Sequence, residues 1–191
     1  AHAVWIDDEG VERMSSSRTG LAHCPSSNMR LSSGVAPVRR YRDANVRFGL
    51  GVDGSASNDG SHMLGEVRQA MLLARLAAAP SPTRPPGSVM PAREALEMAT
   101  LGGASVLGRT DIGSLEAGKA ADFFAVSLDR LEYAGALHDP VAALVLCAPV
   151  TVDETWVDGV PVVRSGRLVT VDADQLIAQH NRLATELLRA T

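Results

Sequence analysis

The chain of 191 residues has only two cysteines, Cys24 and Cys147, and aromatic residues make up 4% of it. Two cysteines build no disulfide framework, so a reducing, cytoplasmic compartment is expected. No apolar run reaches the ~20 residues that span a bilayer, and no basic-then-apolar leader opens the chain; no membrane partner is expected. Charge of neither sign dominates, since 18 basic against 22 acidic side chains leave a formal net charge of -4. Phosphate binding needs concentrated Lys and Arg. The densest group here, Arg39-Arg40-Tyr41-Arg42, reads as a solvated helix face, so no nucleic-acid partner is expected. Gly49-Leu50-Gly51-Val52-Asp53-Gly54 has the Gly-x-Gly-x-x-Gly spacing, but no acidic residue stands about 20 positions further on, so a dinucleotide-binding loop is not expected.

What is present is globular composition, with 46% hydrophobic and 21% charged residues. Residues 1–78 read as strand–helix units: a polar helix from Asp7 to Met14 capped by Asp7 or Asp8, a strand Gly20 to His23, and loop then helix from Ser33 to Asn45 with Val35, Val38 and Tyr41 inward. A strand from Phe48 to Val52 and an amphipathic helix from Ser61 to Ala78 follow. Alternation of this kind implies a parallel sheet with right-handed crossovers. The proline-rich stretch 79–87 reads as a loop, Pro91 opens a helix to Thr100, and Gly102-Gly103 interrupts before a short helix through Leu107. The character then changes. A turn-rich run from Ile112 to Asp122 leads into a strand from Phe123 to Val126, and Asp158-Gly159 between apolar runs marks a hairpin. A further turn at 164–167 precedes a strand Leu168 to Val171, and Asp172 or Asp174 caps a last helix that packs Leu176, Ile177, His180, Leu183, Leu187 and Leu188 on one face.

Three segments end strands with chemistry-bearing residues: Ala1-His2-Ala3-Val4, the run His23-Cys24-Pro25-Ser26-Ser27-Asn28, and Gly49-Leu50-Gly51-Val52-Asp53-Gly54-Ser55. A carboxylate or imidazole where a buried strand opens into a Gly/Ser loop sits at the mouth of an α/β scaffold, where metals and ligands bind. Cys24 beside His23 makes no thiol–imidazole couple, because neighbouring side chains on a strand point to opposite faces. Ser55, Ser57 and Asn58 can hydrogen-bond a polar ring; His62 reads as a cap or packing residue of its helix, His138 as a loop-ordering one and His180 as part of the last helix's packing.

In this order, the His23–Asn28 and Gly49–Gly54 segments followed by Ile112–Asp122 resemble the amidohydrolase superfamily, in its branch of cytosine, guanine and triazine deaminases and chlorohydrolases. The run from Asp53 to His62 with Glu66 to Ala70 sharpens the likeness toward purine deamination. The resemblance implies an α/β fold: the C-terminal part of a (β/α)8 TIM barrel plus part of a small β-sandwich. It divides the chain into barrel strands and helices over 1–108, a β-sandwich segment with returning barrel-side loops over 109–171, and a C-terminal helix over 172–191.

The resemblance also implies roles. Asp53 is the metal ligand and proton acceptor, and His2 touches the attacking water and substrate. His23 and Asn28 line or support the pocket, with Ser55 as a further substrate-binding residue. One divalent metal per site is implied, Zn2+ first and iron as the alternative. The implied reaction is hydrolytic deamination of an amino-substituted N-heterocycle, 8-oxoguanine leading. Alternatives are amino- or chlorohydrolysis of a triazine, or a non-catalytic fragment or structural subunit. The family's first-strand His-x-His pair and fifth-strand His and Glu have no counterpart here, and metal hydrolases need three or four protein ligands. The chain alone is therefore expected to be inactive. Its start, with no methionine and a site-like His2, gives the expectation of a later part of a longer protein, completed by an N-terminal segment. Apolar surface on the barrel helices would favour a homo-oligomer.

Overall fold

The computed structural model describes residues 1–78, 82–83, 89–147 and 151–190. The proline-rich stretch expected as a loop falls mostly outside these. The chain divides into two compact units, one of residues 1–119 and 128–150, the other of 120–127 and 151–191.

In the first unit, α1 (Asp8–Ser16) starts where Asp7 accepts a hydrogen bond from the Gly10 N–H, so Asp7 is the cap. Strand β1 (Gly20–His23) leads directly into α2 (Pro25–Arg30), and α3 (Val38–Asp43) precedes β2 (Arg47–Leu50). The two strands pair in parallel with Leu21 opposite Phe48 and His23 opposite Leu50. Residues paired across a ladder share a face, so these four side chains point to one side. That side meets the helices. Leu21 packs with Val11 of α1 and Tyr41 of α3, while Leu50 packs with Val67 and Met71 of α4 (Met63–Ala77). Val38 and Tyr41 are buried as expected, but Val35 is exposed because it precedes α3, in a segment that no helix periodicity governs. The strand expected at His2 is a single backbone bond, from the His2 N–H to Ala22 O, because Ala1–Ala3 turns back on itself with positive φ at His2 and Ala3.

The second face of β1 and β2 is covered by a π turn (Met98–Gly102) and α6 (Gly103–Leu107), which continue α5 (Ala92–Glu97) without the break expected at the glycine pair. The glycines serve close approach. A Cβ on Gly102 would stand 2.4 Å from Phe48 O, and one on Gly49 would stand 2.9 Å from Gly103 N. Backbone here packs on backbone, and neither side can yield. Gly102→Ala is expected to cost about 1–3 kcal/mol, read as a lower urea midpoint with an unchanged m-value; an unchanged midpoint would show that the helix can slide away. A helix not anticipated from sequence, α7 (Pro140–Leu146), is capped by Asp139, which accepts from the Ala142 N–H, and its Val145 joins the core around Met71.

The second unit is a four-stranded antiparallel sheet in the order β3 (Phe123–Ala125), β4 (Glu154–Val157), β5 (Val160–Arg164) and β6 (Arg167–Leu168), followed by α8 (Ala173–Ala190). Asp158 and Gly159 both take positive φ in the β4–β5 turn, as do Ser165 and Gly166 in the next. Paired positive-φ residues match the twist of the flanking strands. β6 is only two residues long, shorter than the expected strand, and among the described residues a single sheet stands where part of a sandwich was expected. Asp172 caps α8 through the Gln175 N–H. Its apolar face is exposed rather than packed, with Leu183 at 49% and Leu188 at 78%. Among the described residues no helix is long and apolar enough to cross a membrane.

Candidate active site

The ends of β1 and β2 and the N-terminal residues bring five polar groups together. Gly51 N–H bonds His23 O at 2.8 Å, which carries the pairing just past β2 and delivers Asp53 beside the first turn of α2. Oδ2 of Asp53 accepts hydrogen bonds from Ser27 Oγ at 2.5 Å and Ser57 Oγ at 3.0 Å. His2 Nε2 lies 3.6 Å from the same oxygen, and its Nδ1 is 2.9 Å from Asn28 Oδ1. With the amide oxygen accepting, the hydrogen sits on Nδ1, and Nε2 faces Asp53 with a lone pair or, once protonated, a charge.

Three of these backbone positions are strained. His2, Ala3 and Asp53 have φ of 66°, 49° and 62°, the left-handed region that side chains with a Cβ rarely occupy and that clusters at functional sites. The Ser27 hydroxyl, the Gly54 backbone N–H and the Ser57 hydroxyl hold the exposed Asp53 carboxyl below its usual range, so it stays ionised at neutral pH. An anionic carboxylate beside an imidazole is donor chemistry for a divalent cation. Among the described residues no group of three or more His, Cys, Asp or Glu side chains could hold a metal ion.

The residues singled out from sequence meet different fates. Asp53, His2 and Asn28 form one hydrogen-bonded cluster. Ser55 is exposed, and the loop hydroxyl on Asp53 belongs to Ser57. His23 is fully buried on the helix side of β1, its ring stacked on Phe48 at 5.9 Å, and neither ring nitrogen has a hydrogen-bond partner among the described residues. Cys24 is buried too, and burial first, then the charges of Asp53 and Glu66, push its thiol up and away from nucleophile chemistry. His62 caps α4 by accepting from the Gly65 N–H.

Two residues were missed. Ser27 stands inside the quoted His-Cys-Pro segment, but only its position at the start of α2 turns it toward Asp53. Glu66 is 2% exposed on the apolar face of α4 beside Val67 and Ala70. A lone carboxylate in an apolar helical stripe is the signal that could have found it.

Burial and then the nearby charge of His2 push the His23 pKa down to about 4. The unfolded imidazole protonates near 6.5, so between the two values the unfolded chain binds more protons and stability falls as pH drops. The parent is expected to lose about 3 kcal/mol more than a His23→Gln variant between pH 6.5 and 4. Urea melts at intervals across that window give the measurement, and parallel curves would contradict it.

The 8-oxoguanine deaminase of Pseudomonas aeruginosa is 43% identical over 188 residues, 98% of this chain and 40% of its own. A zinc-bound adenosine deaminase of Xanthomonas campestris superposes with a TM-score of 0.89 at 32% identity, covering 100% of this chain and 42% of that one. The atrazine chlorohydrolase of Arthrobacter aurescens TC1, complexed with zinc, gives 0.85 at 37% identity, covering 95% and 39%. The chain thus spans about two fifths of the length of these relatives. The amidohydrolase family pattern matches residues 1–162, and with whole-chain likeness to hydrolases of this fold it assigns the protein: this chain belongs to the amidohydrolase family.

Proposed function

We propose that this chain forms the late-strand side of a metal-dependent deaminase site, completed by a preceding segment of the same protein that supplies the further metal ligands. The observation that carries the reading is the Asp53 carboxylate, held at one oxygen by two serine hydroxyls with an imidazole 3.6 Å away, at the ends of two parallel strands. Asp53 fits one corner of a divalent-metal site, with His2 beside it; zinc in two relatives favours that ion. A divalent metal bound there supplies water acid enough to ionise near neutral pH.

The reaction consumes an amino-substituted N-heterocycle and water and yields the oxo-heterocycle and ammonia. Asp53 takes the proton that the attacking water gives up and passes it toward the departing amine. His2, its ring fixed by Asn28, stabilises charge on the carbon under attack. 8-Oxoguanine is the leading substrate, on the 43% identical relative. A triazine is the second reading, on the 37% identical chlorohydrolase. Cysteine usage fits a reducing cytoplasm.

Intact mass, zinc content and turnover of a purine and triazine panel, read as ammonia from the purines and as ammonia, chloride or alkylamine from the triazines, test the proposal on the full-length protein. Zinc with release from 8-oxoguanine supports it. Zinc with activity on triazines alone moves the substrate to the second reading. A protein of the chain's own 20.1 kDa with neither metal nor activity is a non-catalytic one, and the proposal fails.

A further inference from the structure

Glu66 has no part in the chemistry above, yet among the described residues it is the only acidic one with a buried side chain, and it reaches both segments that hold Asp53. Its Oε2 accepts the Ser26 backbone N–H at 3.0 Å, and its Oε1 accepts Asn58 Nδ2 at 2.9 Å. The same Asn58 amide donates to Val52 O at 2.8 Å. Each arm of the carboxylate therefore grips the chain next to a functional serine: Ser26 precedes Ser27, and Asn58 follows Ser57. Those two serines converge on Asp53 Oδ2. Ser26 is also two residues from Asn28, which orients His2.

We infer that Glu66 is a positioning residue: its carboxylate clasps the first turn of α2 to the loop after β2 and so sets the serine pair that aims Asp53. The inference rests on the reading of Asp53 as the reacting carboxylate. Burying an acid on an apolar helix face is costly unless its oxygens are satisfied. Two N–H donors, one from the first turn of α2 and one from the loop after β2, satisfy this one, and a helix supported by the core around Met71 holds it still. Asp53, in contrast, sits at a strained φ on an exposed loop and needs such support to keep one orientation.

Glu66→Gln keeps shape and one acceptor, but its amide nitrogen must meet a donor, so one arm opens. In full-length protein, kcat per folded molecule is expected to fall about 10–100-fold with KM little changed, the size of effect seen when supporting hydrogen bonds are removed. The crystal structure of the variant should show Ser27 or Ser57 out of hydrogen-bonding reach of Asp53. In a Ser27→Ala/Ser57→Ala background the same change should cost nothing further, because the effect runs through the serines. Parent-like kcat with both serines in place, or a fully additive loss, overturns the inference. If Glu66→Gln does not fold, Asn58→Ala opens the arm on the Asp53 loop and is judged by the same outcomes. Asp53→Asn separates the two ideas: if that variant stays active, the reading of the site fails, and the serine distances still decide whether Glu66 sets them.

Discussion

Asp53→Asn in the full-length protein is expected to lower kcat/KM about 10²–10⁴-fold while leaving the melting temperature near the parent's, the usual contribution of a positioned proton-transfer group. Asparagine is the informative replacement. It is one of the few residues at ease in left-handed backbone, so the φ of 62° is kept. Its amide oxygen still accepts from Ser27 and Ser57, whose hydroxyls now hold Asp53 Oδ2. What disappears is the negative charge and the capacity to take a proton. Alanine would confound this by adding backbone strain and stranding two hydroxyls. Deaminase rates and thermal melts on the same preparations give the answer, and full turnover in the asparagine variant would sink the assignment.

Tyr41→Ala is expected to produce the largest loss of stability, about 3–5 kcal/mol, as for other buried aromatic truncations. Tyr41 is fully buried on α3, stacks on Phe48 at 6.4 Å and donates its hydroxyl to Ala3 O. It thus closes the cluster of Val11, Leu21 and Val46 and tethers the strained residues that carry His2. Truncation leaves a cavity between helix and sheet and frees the N-terminal residues at once. Tyr41→Phe isolates the tether: about 1 kcal/mol for the hydrogen bond, with faster hydrogen exchange at the His2 N–H. Chemical denaturation of parent and both variants measures the series. Equal midpoints for parent and alanine variant would mean that the helix collapses onto Phe48 and fills the space.

Much of the fold was legible because its signals are local. The Asp-Gly turn of the β4–β5 hairpin, the cap at Asp7 and the apolar stripe of α4 each depend on residues within one turn or one ladder rung. Where the reading missed, distant atoms had decided. Gly102 and Gly103 looked like a helix break because glycine is a poor helix former, yet Phe48 O across the sheet leaves no room for a Cβ. Val35 looked inward by composition and lies outward in a segment before α3. The apolar face of α8 was periodic enough to predict a packed helix, but periodicity says that a face exists, not what meets it.

The candidate site divides the same way. Sequence by itself determined which residue types end the strands, and with the family resemblance it made Asp53, His2, His23, Asn28 and Ser55 the residues to watch. It could not show that Ser57 and not Ser55 reaches Asp53, since both are loop serines, nor that Glu66 joins the first turn of α2, 40 residues away in the chain, to the loop after β2, 8 residues away. Only the tertiary structure decided these, because hydrogen bonds form between atoms about 3 Å apart in space. A pattern along the chain carries that distance only within a helix turn or between paired strands.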